Sequence, residues 1–328
     1  MRKLLALQAV SIALLMPSSV AATGASSAGR PVALVTAETA NEVLAVSLGP
    51  DGGRVLRRVH LLEPLMIASA RHSPAVVVNP SGTVTLLAWH SLRRIKVFHA
   101  FRSPKVAAIA PGGGLAYVAD ERTGDLSVID LARRKVVGRV FVGLLAHHFG
   151  ISPDGRQIWV ALGESATTIV RVGAQNPRKL RVLGHFHPRF GAHDVAFAPG
   201  GRTVLVTSPS GATVSAYSAG GRHPRLLWYA GAGRGPEHVA FARGTALVSS
   251  GYGPSLEALP WRHPSAGARA SADVPYGSFN LATYGGFVVT TSLFTGQVTE
   301  LRIRDLHRLW SAKVAPKARY VAISVWPR

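Results

Sequence analysis

The chain runs to 328 residues, 47% hydrophobic and 16% charged, and its 37 lysines and arginines against 16 acidic residues give a formal net charge of +21. That apolar content is ample for one large core, and so basic a surface attracts anionic polymers. With no cysteine, a disulfide framework and a lipid anchor on cysteine are both excluded; no helix-turn-helix, zinc-finger or RNP-type motif accompanies the scattered arginines, which argues against nucleic acid as the partner.

The first predicted element is a leader. Arg2 and Lys3 precede an apolar run over 4–16, and Val20-Ala21-Ala22 supplies small residues for cleavage, so 1–22 reads as a signal peptide and 23–30 as a flexible segment. The apolar run is short for a membrane span. Retained uncleaved, it would be an anchor with 18–29 as a stalk. The expected location is extracytoplasmic (secreted, periplasmic or cell surface), with no transmembrane domain in the mature chain.

Residues 31–328 read as one all-β domain. Strands are expected over 32–37, 42–48 and 54–61, and a phrase then recurs with starts at Glu63, Lys105, His147, His193, Glu237, Phe279 and Arg319. A period of roughly 40 to 46 residues means a propeller. The unit from Lys105 shows the pattern best: strands over 106–109, 115–119, 126–130 and 135–141, with turns at Pro111-Gly112-Gly113-Gly114 and Thr123-Gly124. Pro153-Asp154-Gly155 and Pro199-Gly200-Gly201 repeat the first turn. The unit from Glu237 is the least regular, its first turn reduced to Arg243-Gly244 and its outer strands poorly defined around Pro260 and Pro264. The last phrase, 319–325, has no sequel except Trp326-Pro327-Arg328, whereas 32–37 lacks a first strand. Joining them gives seven four-stranded antiparallel blades, with the C-terminal strand completing blade one and removing the exposed edges.

Tyr117-Val118-Ala119-Asp120, followed by Gly124 to Asp130 and Lys135-Val136-Val137, resembles the YVTN repeat of seven-bladed propellers, with Ala119 and Asp120 in place of Thr and Asn; Leu205-Val206-Thr207-Ser208 is a second approximate copy. The resemblance spans about 290 residues and implies the fold. Relatives of this type include surface-associated repeat proteins and lactonase-like proteins, so it implies no single activity.

Strand starts in a propeller face the central channel. The second residue of each phrase gives Pro64, Val106, His148, Asp194, His238, Asn280 and Tyr320, and the first adds His147, His193 and Glu237. The candidate catalytic set is His148, His193, Asp194, Glu237 and His238, as acid and base or around an activated water. Asn280, Tyr320 and His147 are candidate ligand-binding residues, and His148, Asp194 and His238 would hold a divalent metal if one is used. No cofactor is otherwise implied. The opposing reading gives these rings only hydrogen bonds to the neighbouring blade. Polar residues crowd blades four to seven, so the rim is lopsided, as a ligand site requires.

Elsewhere, Arg57-Arg58, Arg93-Arg94 and Arg133-Arg134 recur just before or within the outermost strands of blades one to three, a charged edge or a band for an anionic polymer. His185 and His187 share a face of an outer strand, and Phe186, Phe190, Trp228 and Tyr229 form an aromatic set for carbohydrate or for packing between blades. Gly231 to Gly235 reads as a loop. Gly-x-Ser-x-Gly, His-Glu-x-x-His, Walker and dinucleotide motifs are missing. The expected protein is an exported, monomeric binding or scaffold module at the cell envelope, its partner an anionic envelope polymer or a protein; the alternative is a lactonase-like hydrolase or lyase at the channel rim.

Overall fold

A computed structural model describes residues 29–262, 268 and 270–327. The leader over 1–22, residues 23–28 and Pro264 lie outside the described residues. Seven four-stranded antiparallel sheets form a ring. Glu38–Ala40 makes one 3-10 turn, and among the described residues no helix is long and apolar enough to cross a membrane.

Blade one joins the C-terminal strand Val321–Trp326 to Arg30–Ala37, Glu42–Ser47 and Val55–His60. Its register runs from Arg30 opposite Trp326 to Val35 opposite Val321, so the two ends of the chain close the ring. The remaining inner strands are Met66–Ala68, Pro104–Ile109, Ala146–Ile151, Val195–Phe197, Pro236–Ala242 and Asn280–Tyr284 for blades two to seven. Blade six is complete, with outer strands Ser255–Leu259 and Ala270–Asp273 and the two-residue turn Arg243-Gly244, both at positive φ. The core is divided into seven apolar clusters, one between each pair of neighbouring blades, including the pair of blades seven and one. Alternation along each strand sends one set of apolar side chains to either neighbour.

Blade two corrects the sequence register. Val78 is the residue corresponding to Thr36 and Thr207, and it lies opposite Met66, so Leu65 and Met66 occupy the positions assigned to Glu63 and Pro64. A two-residue slip leaves every side chain on the same face, and hydrophobic alternation cannot detect it.

A hydroxyl near the end of the second strand links many of the blades. Thr36 Oγ1 accepts from Tyr320 N at 3.0 Å and donates to Leu65 O of blade two at 3.1 Å. Thr207 accepts from Asp194 N at 3.0 Å and donates to Glu237 O at 2.6 Å. Ser249 bonds Phe279 O, and Thr291 donates to Arg319 O at 3.0 Å. The Thr of the YVTN-like phrase is therefore a joint between blades in blade five, whereas Ala119 in blade three has no hydroxyl to offer. Asp120, in place of Asn, gathers the backbone N–H groups of Arg102, Ser103, Arg122 and Thr123 around its carboxylate.

Candidate functional site at the channel mouth

The first residues of six repeat phrases, Lys105, His147, His193, Glu237, Phe279 and Arg319, line one cavity of about 530 Å³ together with Leu65, which holds that position in blade two. Second residues Val106, His148, His238, Asn280 and Tyr320 join them. Adjacent residues of a regular strand point to opposite faces, and in blades four and six a local device brings two neighbours to the same cavity. In blade four Ala146 pairs with Leu162 and Phe149 with Val160, leaving His147 and His148 together opposite Ala161; in blade six Glu237 and His238 stand together between Pro236 and Val239. These are β-bulges, which re-aim side chains. Sequence periodicity does not reveal them.

The result is a cluster of four imidazoles. The His148 ring centroid lies 4.5 Å from those of His147 and His193 and 4.7 Å from that of His238. His193 donates from Nδ1 to Glu164 O at 3.0 Å and from Nε2 to the Glu237 carboxylate at 2.8 Å. His238 donates from Nδ1 to Phe279 O at 3.0 Å. Its Nε2, and Nδ1 of His147, are buried with no hydrogen-bond partner among the described residues.

Burial and neighbouring imidazoles push His147 down to about 3 and hold His148 well below the usual histidine range. Burial also lowers His238, against the opposing charge of Asp194. His193 moves the other way: burial disfavours its cation, but the hydrogen bond and charge of Glu237 outweigh that and raise its pKa. One imidazole bonded at both nitrogens, its pKa raised, thus sits among three whose charged forms burial disfavours. Tyr320 stays a neutral phenol because burial raises it.

Of the residues expected at the rim, His147, His148, His193, Glu237, His238, Asn280 and Tyr320 line the cavity, but Asp194 does not. Asp194 pairs with Thr207 through its backbone, and its carboxylate accepts from Val239 N at 3.0 Å, which fastens blade five to blade six. Among the described residues, the group able to hold a metal is His148, His193 and His238, with ligand atoms within 4.8 Å of one another. His193 takes the place expected for Asp194.

Sequence reading missed an aromatic wall. Tyr252 and Phe279 line the cavity, and the rings of Tyr252, Phe279, Phe294 and Tyr276 follow one another at 5.1, 5.7 and 5.2 Å, the last pair stacked. Gly251 and Gly277 make room: a Cβ at either would lie 2.0 or 2.4 Å from the Phe279 or Phe294 ring. Only Phe279 starts a repeat phrase. The aromatic set picked out in the sequence divides instead: Phe186 packs on Trp159 and Tyr217, Trp228 joins the apolar cluster of blades five and six, and Phe190 and Tyr229 meet on the surface beneath Arg189. His187 donates to Thr167 O at 2.8 Å, away from the cavity.

No protein-family model and no curated protein sequence matches this chain. Among solved structures, a functionally unknown protein from Desulfotomaculum acetoxidans superposes with a TM-score of 0.77 at 14% identity, covering 90% of this chain and 99% of that one. A protein from Bacteroides fragilis with a provisional 6-phosphogluconolactonase assignment gives 0.74 at 13% identity over 90% and 98%. Hydrazine synthase from Kuenenia stuttgartiensis gives 0.69 at 17% identity over 82% and 91%. At these identities the likeness is one of fold: a seven-bladed β-propeller with distant lactonase-like neighbours.

Proposed function

We propose that this chain is an exported, YVTN-type propeller of the cell envelope that binds a small polyhydroxylated ring, a sugar acid or its cyclic ester, in the channel mouth. One observation carries the reading: buried imidazole nitrogens without partners border a cavity whose other wall is aromatic. A buried polar atom is costly unless something bonds to it, and a pocket with a few convergent polar groups beside aromatic faces is what a small ligand requires. A sugar ring offers both complements, hydroxyls for His147, His238 and Asn280 and a flat C–H face for Phe279 and Tyr252. The export part rests on the leader over 1–22, with the propeller from 31 onward as the mature domain.

The test is calorimetric titration of the mature protein with a panel of sugar acids and lactones, repeated with Phe279→Ala and His238→Ala. Saturable binding that weakens roughly tenfold or more in each variant, a loss of about 1.4 kcal/mol, is expected. Absence of binding across the panel, or binding indifferent to both substitutions, overturns the reading.

The His193–Glu237 pair favours a second reading, hydrolysis or elimination at a cyclic ester. Neutral His148 would take a proton from a water attacking the ring carbonyl, or in elimination from the carbon next to the C–O bond, and the His193 cation, held by Glu237, would donate one to the ring oxygen as its bond to carbon breaks. The lactonase assignment of the Bacteroides neighbour supports looking for this. Ring opening followed by proton release should be lost in Glu237→Gln with ligand affinity retained.

A further inference from the structure

We propose that His148, His193 and His238 bind one divalent first-row transition ion at the channel mouth, with Glu237 supplying an oxygen ligand. The proposal rests on the channel mouth being the functional site, but not on the ligand being a sugar.

Four observations carry it. The three rings come from three consecutive blades, and their ligand atoms lie within 4.8 Å of one another. Zinc–imidazole bonds of about 2.0–2.1 Å in a tetrahedron place nitrogens roughly 3.4 Å apart, so small side-chain rotations close the set. Secondly, two of the rings are already oriented as metal ligands are: His193 and His238 donate Nδ1–H to the carbonyls of Glu164 and Phe279, the outer contact that fixes tautomer and ring direction and leaves Nε2 to the ion. Thirdly, Nε2 of His238 is buried and unpartnered. Fourthly, Glu237 already lies 2.8 Å from Nε2 of His193; an ion entering between them replaces that hydrogen bond, and the displaced proton leaves to solvent.

The donor set selects the metal. Three imidazoles and one carboxylate suit zinc, cobalt, nickel or copper(II), whereas calcium and magnesium demand mostly oxygen. The two rim cations do not oppose an incoming ion at full strength, because Arg319 is paired with Glu38 at 2.8 Å and Lys105 with Glu121 at 3.3 Å. The adjoining cavity leaves room for water or for a ligand carbonyl on an open coordination position.

The experiment uses tag-free mature protein stripped with a chelator and titrated with cobalt(II), then with zinc(II). One equivalent should bind, with visible absorption bands of a low-coordinate cobalt–imidazole centre that zinc abolishes. His148→Ala and His238→Ala should each weaken binding by roughly 100-fold or more and Glu237→Gln by roughly tenfold, at or above the range known for groups around metal sites. His185→Ala with His187→Ala, at the end of the outer strand of blade four, should change nothing. Should His148→Ala not fold, His148→Asn with its fold verified by near-ultraviolet dichroism gives the same reading. No saturable uptake, several weak sites, affinity retained in His238→Ala, or affinity lost in the outer double variant each overturn the proposal. A sugar acid binding to stripped protein that takes up no metal would remove the metal site and leave the ligand reading standing; metal uptake without sugar binding would do the reverse.

Discussion

The joints of the ring fall into two groups. From blade five through blades six and seven to blade one, and on to blade two, a buried hydroxyl (Thr207, Ser249, Thr291 or Thr36) reaches a backbone carbonyl at or just before the start of the next inner strand (Glu237, Phe279, Arg319 or Leu65). From blade two to blade five the same position holds Val78, Ala119 and Ala161, all fully buried and apolar. At this position those three joints have only the packing of the intervening clusters; polar links lie elsewhere, Ser73 donating to Gly113 O across blades two and three, and the Ala166–Ala192 bridge and the His193 bond to Glu164 O joining blades four and five. A repeat can thus lose this fastening where other contacts between the blades take over.

The largest break in this pattern is removal of residues 319–328. It deletes the inner strand of blade one with its register from Arg30 to Val35, the acceptor of the Thr291 hydroxyl, and Tyr320, whose backbone bonds Thr36 in both directions. The truncated chain should lose its cooperative thermal transition. Melting at the temperature of the full chain would show that the ring does not depend on its closure.

This closure was legible from the sequence because it is a counting argument: seven phrases, one without a sequel and one blade without a start. Blade six, with its turn shortened to Arg243-Gly244, was also countable. The chemistry of the mouth was legible only in part. Imidazoles at strand starts announce themselves, but the bulges that turn His147 and His148, or Glu237 and His238, to the same side leave no periodic trace, and neither does the bond from Val239 N that holds the Asp194 carboxylate. The aromatic wall draws Tyr252, Tyr276 and Phe294 from loops with no common pattern, so only the closed ring brings them together.

Single substitutions sharpen the contrast between the joints. Thr36→Val keeps the shape but leaves Tyr320 N and Leu65 O without their shared hydroxyl, which should cost about 1–3 kcal/mol in denaturant unfolding. The reciprocal change, Val78→Thr, puts a hydroxyl at the equivalent position of an apolar joint, within the register that faces Met66. Its new bond should offset most of the burial penalty, leaving stability within about 1 kcal/mol of wild type, whereas Val77→Thr, buried in the cluster between blades one and two, should lose about 1–3 kcal/mol. Equal losses at 77 and 78 would mean that the hydroxyl positions are not equivalent between blades.

The smallest effect on stability is expected on the outer circumference, where arginines also bridge joints. Arg57 donates to Ser91 O at 3.2 Å and Arg94 to His60 O at 3.5 Å across blades one and two, and Arg58 donates to Val314 O at 3.3 Å across blades seven and one. Arg58 and Arg133 are further held by Glu42 and Asp130 at 2.7 Å. Links of this kind at the solvent-exposed rim contribute little to stability because water competes for both partners. Neutralising Arg57, Arg58, Arg93, Arg94, Arg133 and Arg134 together should therefore shift the melting temperature little. It should, however, weaken association with an anionic envelope polymer and flatten its dependence on salt, since screening acts on charges held in water. A large fall in melting temperature with unchanged polymer association would assign these arginines to the joints; the opposite pair of results would assign them to a partner, and would set the charged circumference apart from the buried imidazoles of the mouth.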